Sequence, residues 1–389
     1  MKTYNFDELI DRTQTHTVKY DGRKAFFGNE KVLPLWVADM DFRTPDFIVE
    51  AIKKRAEHEL FGYTFRPETY TQSIVNWLKR RHNWEIKPEW ISFSPGVVAG
   101  LTMAIEAFSK PGDGVIIQPP VYFPFFDSVK GTDREMIENP LRLENGRYFF
   151  DIEDLKRKIT PTTKLLLLSN PHNPGGMAWN EKELTELAQI CLDHKILIVS
   201  DEIHADMVFD GFKHTPLAGI SEEFAQNAVI CMAPSKTFNT AGLTTSFLII
   251  PNKRHFIAYE RVMRLPHLHM GNIFGAVALE AAFTHGDEWL GQLMSYLQDN
   301  YAFLEHFFQE ILPEVKVMRP EATYLIWLDF SAYGLTDEAL SQKIIDGGVG
   351  LNRGVQFGKQ GSGYMRMNIG CPRSVLKEAL MRIKTTFSE

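Results

Sequence analysis

Ala228-Val-Ile-Cys-Met-Ala233 runs without a polar residue into Pro234-Ser235-Lys236-Thr237. An uninterrupted apolar run of this length suits a strand buried on both faces, and such strands belong to parallel sheets covered by helices. A lysine at the mouth of that strand, beside a hydroxyl residue, is well placed to form a Schiff base with an aldehyde. It does so only when a desolvated or cation-flanked site deprotonates its amine. Alone, a lysine after a strand is more often an ordinary solvated loop residue.

The same apolar signature recurs at Ile91–Ser94, Gly114–Gln118, Lys164–Ser169, Ile196–Ser200 and Ser246–Ile250. Helical spacing predicts helices over 46–60, with Pro45 near the start, and over 68–82, 98–109 and 181–194. Strands alternating with helices predict βαβ units and a mostly parallel sheet. Residues 253–310 read as largely helical, with interruptions at Gly271 and Gly286. Beyond them, strands near Val315–Met318, Thr323–Asp329 and Tyr364–Ile369 and a closing helix over 373–387 suggest a smaller α+β domain. The expected division is an arm at 1–45 that contributes to the small domain, a large domain at 46–285 and the small domain at 286–389.

A chain of 389 residues can bury the cores of two domains. Its 44% hydrophobic and 23% charged content is ordinary for a globular protein. A net charge of −7 argues against a general nucleic-acid binder. Cys191, Cys231 and Cys371 are few and widely spaced, which suggests a reducing compartment rather than a disulfide framework. The start, Met1 to Glu8, lacks the apolar core of a signal peptide, and no apolar run approaches the roughly 18 residues of a membrane span. A cytoplasmic protein without a membrane partner is the expectation.

Three other strand ends carry pieces that match the lysine. Ser94-Pro-Gly-Val-Val98 opens a helix, and the free amides of Val97 and Val98 would face an anion there; a tight turn with no ligand is the alternative. Asp201 ends an apolar run where open α/β sheets bind ligands. It could keep a pyridine nitrogen protonated, or simply cap a helix. A metal site from Asp201, Glu202, His204 and Asp206 is the sharper rival, but no second ligand cluster has recognisable spacing, so no metal is expected. Asn173, in Asn170-Pro-His-Asn-Pro-Gly175, could donate to a phenolate oxygen, as could His204; a plain turn and a structural histidine compete. Tyr122, after Pro119-Pro-Val121, could stack on a flat cofactor, although Phe123, Phe125 and Phe126 crowd the stretch and make core packing the stronger reading in isolation. Arg366, among apolar neighbours in Tyr364-Met-Arg-Met-Asn368, suits capture of an amino-acid carboxylate or a structural ion pair. Together the four strand ends describe a site for pyridoxal 5′-phosphate (PLP).

In this order the pieces resemble fold type I PLP enzymes, the aspartate aminotransferase superfamily, over nearly the whole chain. Trp36-Val-Ala-Asp-Met-Asp-Phe42, Phe61-Gly-Tyr63, Asp201-Glu-Ile-His204, Ala233-Pro-Ser-Lys-Thr-Phe-Asn239 and Asn368-Ile-Gly-Cys-Pro372 resemble the MalY/PatB group of cystathionine β-lyases. The resemblance implies an α/β, PLP-dependent transferase fold, with a mostly parallel seven-stranded sheet between helices. It implies Lys236 as Schiff-base lysine and α-proton base, Asp201 at the pyridine nitrogen, Asn173 and His204 at the phenolate oxygen, and Tyr122 on the ring. Val97, Val98 and Ser235 would hold the phosphate. Tyr63 would reach it from the other subunit of a homodimer. Arg366 would bind the carboxylate of a small amino-acid substrate, with Ala38 and Asp39 lining the same pocket. The chain departs from many aminotransferases at Thr244, where they carry an arginine, at Ala233, where they carry Ser or Thr, and at His204, where they carry Tyr. The implied activity is β-elimination from L-cystathionine or another cysteine S-conjugate, giving pyruvate, ammonia and a thiol. An aminotransferase is the alternative. A regulatory role, associated with some members of the group, is a third reading that no surface feature of the sequence marks.

Overall fold

A computed structural model describes residues 2–388. Its main sheet has seven strands: β1 Ile91–Ser94, β2 Gly114–Ile117, β3 Glu135–Glu138, β4 Thr163–Ser169, β5 Leu197–Asp201, β6 Ala228–Met232 and β7 Ser246–Ile249. Their spatial order is β1-β7-β6-β5-β4-β2-β3. Only β7 runs antiparallel to its neighbours.

The apolar runs explain this sheet. In β4, Leu165 and Leu167 enter one core, while Leu166 and Leu168 enter the other. Leu197 and Val199 alternate in the same way with Ile198 in β5, and Val229 and Cys231 with Ile230 in β6. Two-sided burial removes any need for polar alternation. Helices Val97–Phe108, Pro124–Gly131 and Lys253–Arg264 carry residues of one of these cores. Helices Glu68–His82, Glu181–Asp193, Ile273–His285 and Asp287–Ile311 carry residues of the other.

Six of the seven strands lie where the sequence places them, within a residue or two. The seventh, β3, was not expected. Its Glu-Met-Ile-Glu sequence sits at the sheet edge, bonded to β2 alone, so it carries no two-sided apolar signal. The first predicted helix is shorter than 46–60 and ends at Ala56. Gly286 does separate two helices: a Cβ there would fall 2.2 Å from Phe238 and 2.4 Å from the Ala282 carbonyl, so no side chain fits.

The C-terminal part holds a second, antiparallel sheet in the order Lys316–Val317, Leu325–Asp329, Tyr364–Asn368, Asn352–Arg353, closed by the helix Arg373–Ser388. The N-terminal arm joins it, since Leu33–Pro34 pairs in parallel with Val349–Gly350. Among the described residues no helix is long and apolar enough to cross a membrane.

Candidate active site

The carboxyl ends of β1, β2, β4, β5 and β6 converge on a cavity of about 190 Å³. Ligands bind at this edge of open α/β sheets because strand ends and helix N-termini meet there. Ala38, Val97, Val98, Tyr122, Asn173, Asp201, His204, Ser235 and Lys236 all line it, so the structure brings these sequence-predicted residues together.

Lys236 Nζ donates to the Ala38 carbonyl at 2.7 Å. Burial lowers its pKa to about 8, opposed by the charges of Asp39 and Asp201 and reinforced by Arg366. Asp201 accepts a bond from the Ile203 amide at 3.1 Å. Burial raises its carboxyl to about 7, against that bond and the charge of Lys236. His204 is buried, its Nδ1 has no partner, and its pKa lies well below the usual value, so the ring is neutral near pH 7. Desolvation is again the main cause, with Lys236 and Arg366 adding repulsion.

The rival metal set does not converge. Asp206 faces away from the cavity and accepts from Trp77 Nε1, Thr237 Oγ1 and His82 Nε2. Glu202 pairs with His214 at 2.9 Å and takes the Ser200 hydroxyl.

Arg366 lies on Tyr364–Asn368 and is buried. It donates to Asn173 Oδ1 at 3.0 Å, the Trp36 carbonyl at 3.0 Å and Asn352 Oδ1 at 2.7 Å, and its guanidinium sits 4.8 Å from the centre of the Phe357 ring. None of these acceptors is charged, which corrects the alternative of a structural ion pair. Burial lowers its pKa to about 10. The Arg366 bond occupies Asn173 Oδ1 and so orients that amide. Asp39, expected in the pocket, turns its carboxylate to Arg12 at 2.7 Å instead; only the neighbouring Ala38 lines the cavity.

At the opposite end, helix Val97–Phe108 starts at Gly96 with no side-chain cap. Its first amides therefore lack intrahelical acceptors. A Cβ built on Gly96 meets no protein atom within 4 Å, leaving room beside those amides. Ser235 borders the same space. Tyr63 does not: it is fully exposed, in a stretch where Leu60, Phe61 and Phe65 are exposed as well.

Sequence reasoning missed several neighbours. Thr245 lines the cavity with a buried hydroxyl that has no partner, next to Thr244, which the sequence marks only as standing where many aminotransferases carry an arginine. Thr244 adopts φ 43°, a left-handed conformation rare for a β-branched residue, and Asn272 Nδ2 reaches its Oγ1 and the Leu243 carbonyl. The Tyr324 hydroxyl donates to the Ala38 carbonyl at 3.0 Å. A buried tyrosine at the head of a small-sheet strand carries no local signal of that contact.

The donor set is that of a PLP site. Unspent amides and hydroxyls suit a phosphate, a carboxyl held near neutrality suits a protonated ring nitrogen, and Asn173 and His204 suit an oxyanion. The sequence model of the aminotransferase class I and II family matches residues 30–383. The chain belongs to this family. It is 45% identical to the cystathionine β-lyase PatB of Bacillus subtilis, over 99% of this chain and 100% of that one. Cystalysin from Treponema denticola, solved with PLP, superposes with a TM-score of 0.96 at 34% identity, over 100% of this chain and 99% of that one. The PLP-bound C–S lyase from Staphylococcus hominis gives 0.94 at 34% identity, with the same coverage. The seven-stranded mixed sheet is thus the type I PLP transferase fold of this family.

Proposed function

We propose that the protein is a PLP-dependent carbon–sulfur β-lyase that cleaves L-cystathionine or a related cysteine S-conjugate to pyruvate, ammonia and a thiol. The observation that carries this reading is the end-to-end match, at 45% identity, to a cystathionine β-lyase. The cavity supports it with the Lys236 amine and the Asp201 carboxyl in one buried space, and with the buried Arg366 guanidinium bonded to Asn173 of the cavity wall.

Bound PLP supplies an electron sink for the charge left at the substrate α-carbon. The residues supply the rest. Lys236, with its pKa near 8, has enough neutral amine near pH 7 to react and to take the α-proton at Nζ. Asp201 holds a proton at the ring nitrogen. Asn173 and the neutral His204 would hold the phenolate oxygen, and Tyr122 would stack on the ring. The amides of Val97 and Val98 and the Ser235 hydroxyl receive the phosphate. Arg366 orients the substrate carboxylate, and the Ala38 segment closes that side against water.

The site is read as shared between two copies in a homodimer. Tyr63 lies outside its own cavity on an exposed apolar stretch, where a second subunit would bring it to the phosphate end of the neighbouring site. The chain is read as an arm at 1–45, a large domain at 46–285 and a small domain at 286–389, with Arg366 carried by the small one. Three buried free thiols, Cys191, Cys231 and Cys371, fit a reducing cytoplasm.

The test is to incubate the PLP-loaded protein with L-cystathionine and no 2-oxo acid, following pyruvate and free thiol together. Sustained, equal release of both is expected. Turnover that appears only with an added 2-oxo acid would make the protein an aminotransferase.

A further inference from the structure

The segment from Trp36 to Met40 belongs to no strand, yet each of its five carbonyls accepts a side-chain hydrogen bond. Arg366 holds Trp36, Asn368 holds Val37 and Asp39, and Asn239 holds Met40. Lys236 and Tyr324 share Ala38. A backbone without ladder partners keeps its course only while those partners persist.

Two further partners come from the N-terminal arm, and both are cations. Arg12 donates to Asp39 at 2.7 and 3.2 Å, to Asp41 at 2.6 Å and to the Met40 carbonyl at 3.2 Å. Lys19 has no exposed surface; its Nζ lies 2.8 Å from Asp41 and 3.1 Å from the Asp39 carbonyl. The two carboxylates and two cations form one cluster directly behind the carbonyl that receives the Lys236 amine.

We propose that Arg12 and Lys19 are positioning residues for Lys236: by gripping Asp39 and Asp41 they fix the Ala38 carbonyl against the amine and set how much of the Asp39 charge reaches it. Asp39 is the strongest influence raising the Lys236 pKa against burial. The other ionisable groups around the amine are Asp201 and His204 at and beyond β5, Tyr122 after β2, and Tyr324 and Arg366 from the small sheet; none of them hydrogen-bonds to Arg12, Lys19, Asp39 or Asp41, and of these groups Tyr324 also feels the Asp39 charge. The inference rests on Lys236 as the reacting amine.

The test needs no turnover. The full chain, freed of cofactor, is exposed to a small amine-acylating reagent over a pH series, and the labelling rate of Lys236 is read by peptide mass spectrometry. Arg12→Gln keeps a donor for the Met40 carbonyl but removes a cation, so the labelling midpoint moves up. Its rate at pH 7 falls by about threefold or more, the change carried by half a pKa unit. Asp39→Asn moves the midpoint down and raises that rate by a similar factor, and the double variant returns close to wild type. Lys19→Gln moves with Arg12→Gln; because Lys19 is fully buried, Arg12 carries the test if that variant does not fold. Single variants that shift in the same direction, or a midpoint that stays fixed in both, would overturn the proposal. Loss of pyruvate release in Lys236→Ala tests the underlying reading separately, since labelling depends on neither cofactor nor substrate.

Discussion

Replacing Arg366 by Met is expected to separate substrate capture from folding. The guanidinium is buried among three uncharged acceptors. Burial lowers its pKa from 12.5 to about 10, which corresponds to roughly 3 kcal/mol of desolvation that no protein carboxylate offsets. The folded pKa is depressed, but the group is still protonated at pH 7 in both folded and unfolded chains. The cost is therefore present at neutral pH and fades only above about pH 10. Met removes that cost and leaves three acceptors short of a donor, at about 1 kcal/mol or more each. These effects oppose each other at similar size, so the stability of the cofactor-free chain should move by less than about 2 kcal/mol. Substrate capture has no such offset. Losing a buried, charge-assisted pair costs about 3–5 kcal/mol, or roughly 150- to 5,000-fold in kcat/KM. Arg366→Lys restores the charge without the planar fork and should recover part of the loss. Urea unfolding of the cofactor-free variants and steady-state pyruvate release from L-cystathionine read the two quantities separately. A kcat/KM for Arg366→Met within about threefold of wild type would refute carboxylate capture at this position.

Asp201→Asn should change how stability depends on pH. Burial raises the Asp201 carboxyl from 3.8 to about 7 in the folded chain, so its stability contribution is complete below about pH 4 and is lost as pH rises through 7, worth roughly 4 kcal/mol in all. In the cofactor-free protein, wild-type stability minus that of Asp201→Asn should fall by about that amount across this window; parallel curves from chemical unfolding would rule the shift out. Mixing two inactive variants, Lys236→Ala and Tyr63→Ala, should regenerate activity, because a mixed dimer joins one chain's Lys236 to the other's Tyr63. A mixture that exchanges subunits and stays inactive would count against a shared site.

What the sequence made legible follows from where the information sits. A strand buried on both faces must be apolar throughout, so β1, β2, β4, β5, β6 and β7 are visible as runs, and the residues after every run but the antiparallel β7 fall at the ligand edge. That is why Lys236, Asp201 and Asn173 could be named from local context. β3 could not, because an edge strand is held by backbone bonds to one neighbour and asks little of its side chains. Arg12, Lys19 and Tyr324 were illegible for a different reason. Each acts on the Ala38–Asp41 turn from tens or hundreds of residues away, and no periodicity or spacing encodes such a pairing. Asp39 shows the limit sharply: its place beside Ala38 was readable, but the direction of its carboxylate depended on the arm.

Three ionisable groups that line the cavity, and Arg366 behind Asn173 of its wall, share one property that ordinary folding does not require. Asp201 is pushed up, while Lys236, His204 and Arg366 are pushed down, so burial drives each towards its neutral form. A cavity designed only for stability would pair these groups with each other. Asp206, a short distance along the loop from His204, and His82, at the end of helix Glu68–His82, show that the chain can do so: there burial also pushes the carboxyl up, but the histidine, Thr237 and a nearby arginine prevail and hold its pKa below the usual value. At the cavity the mutual attraction of Lys236 and Asp201 does not overcome desolvation for either partner. A ligand carrying an anion, a basic ring nitrogen and an aldehyde, followed by a substrate with a free carboxylate, would relieve these costs one after another. Binding should therefore raise stability steeply, through groups that weaken the empty chain.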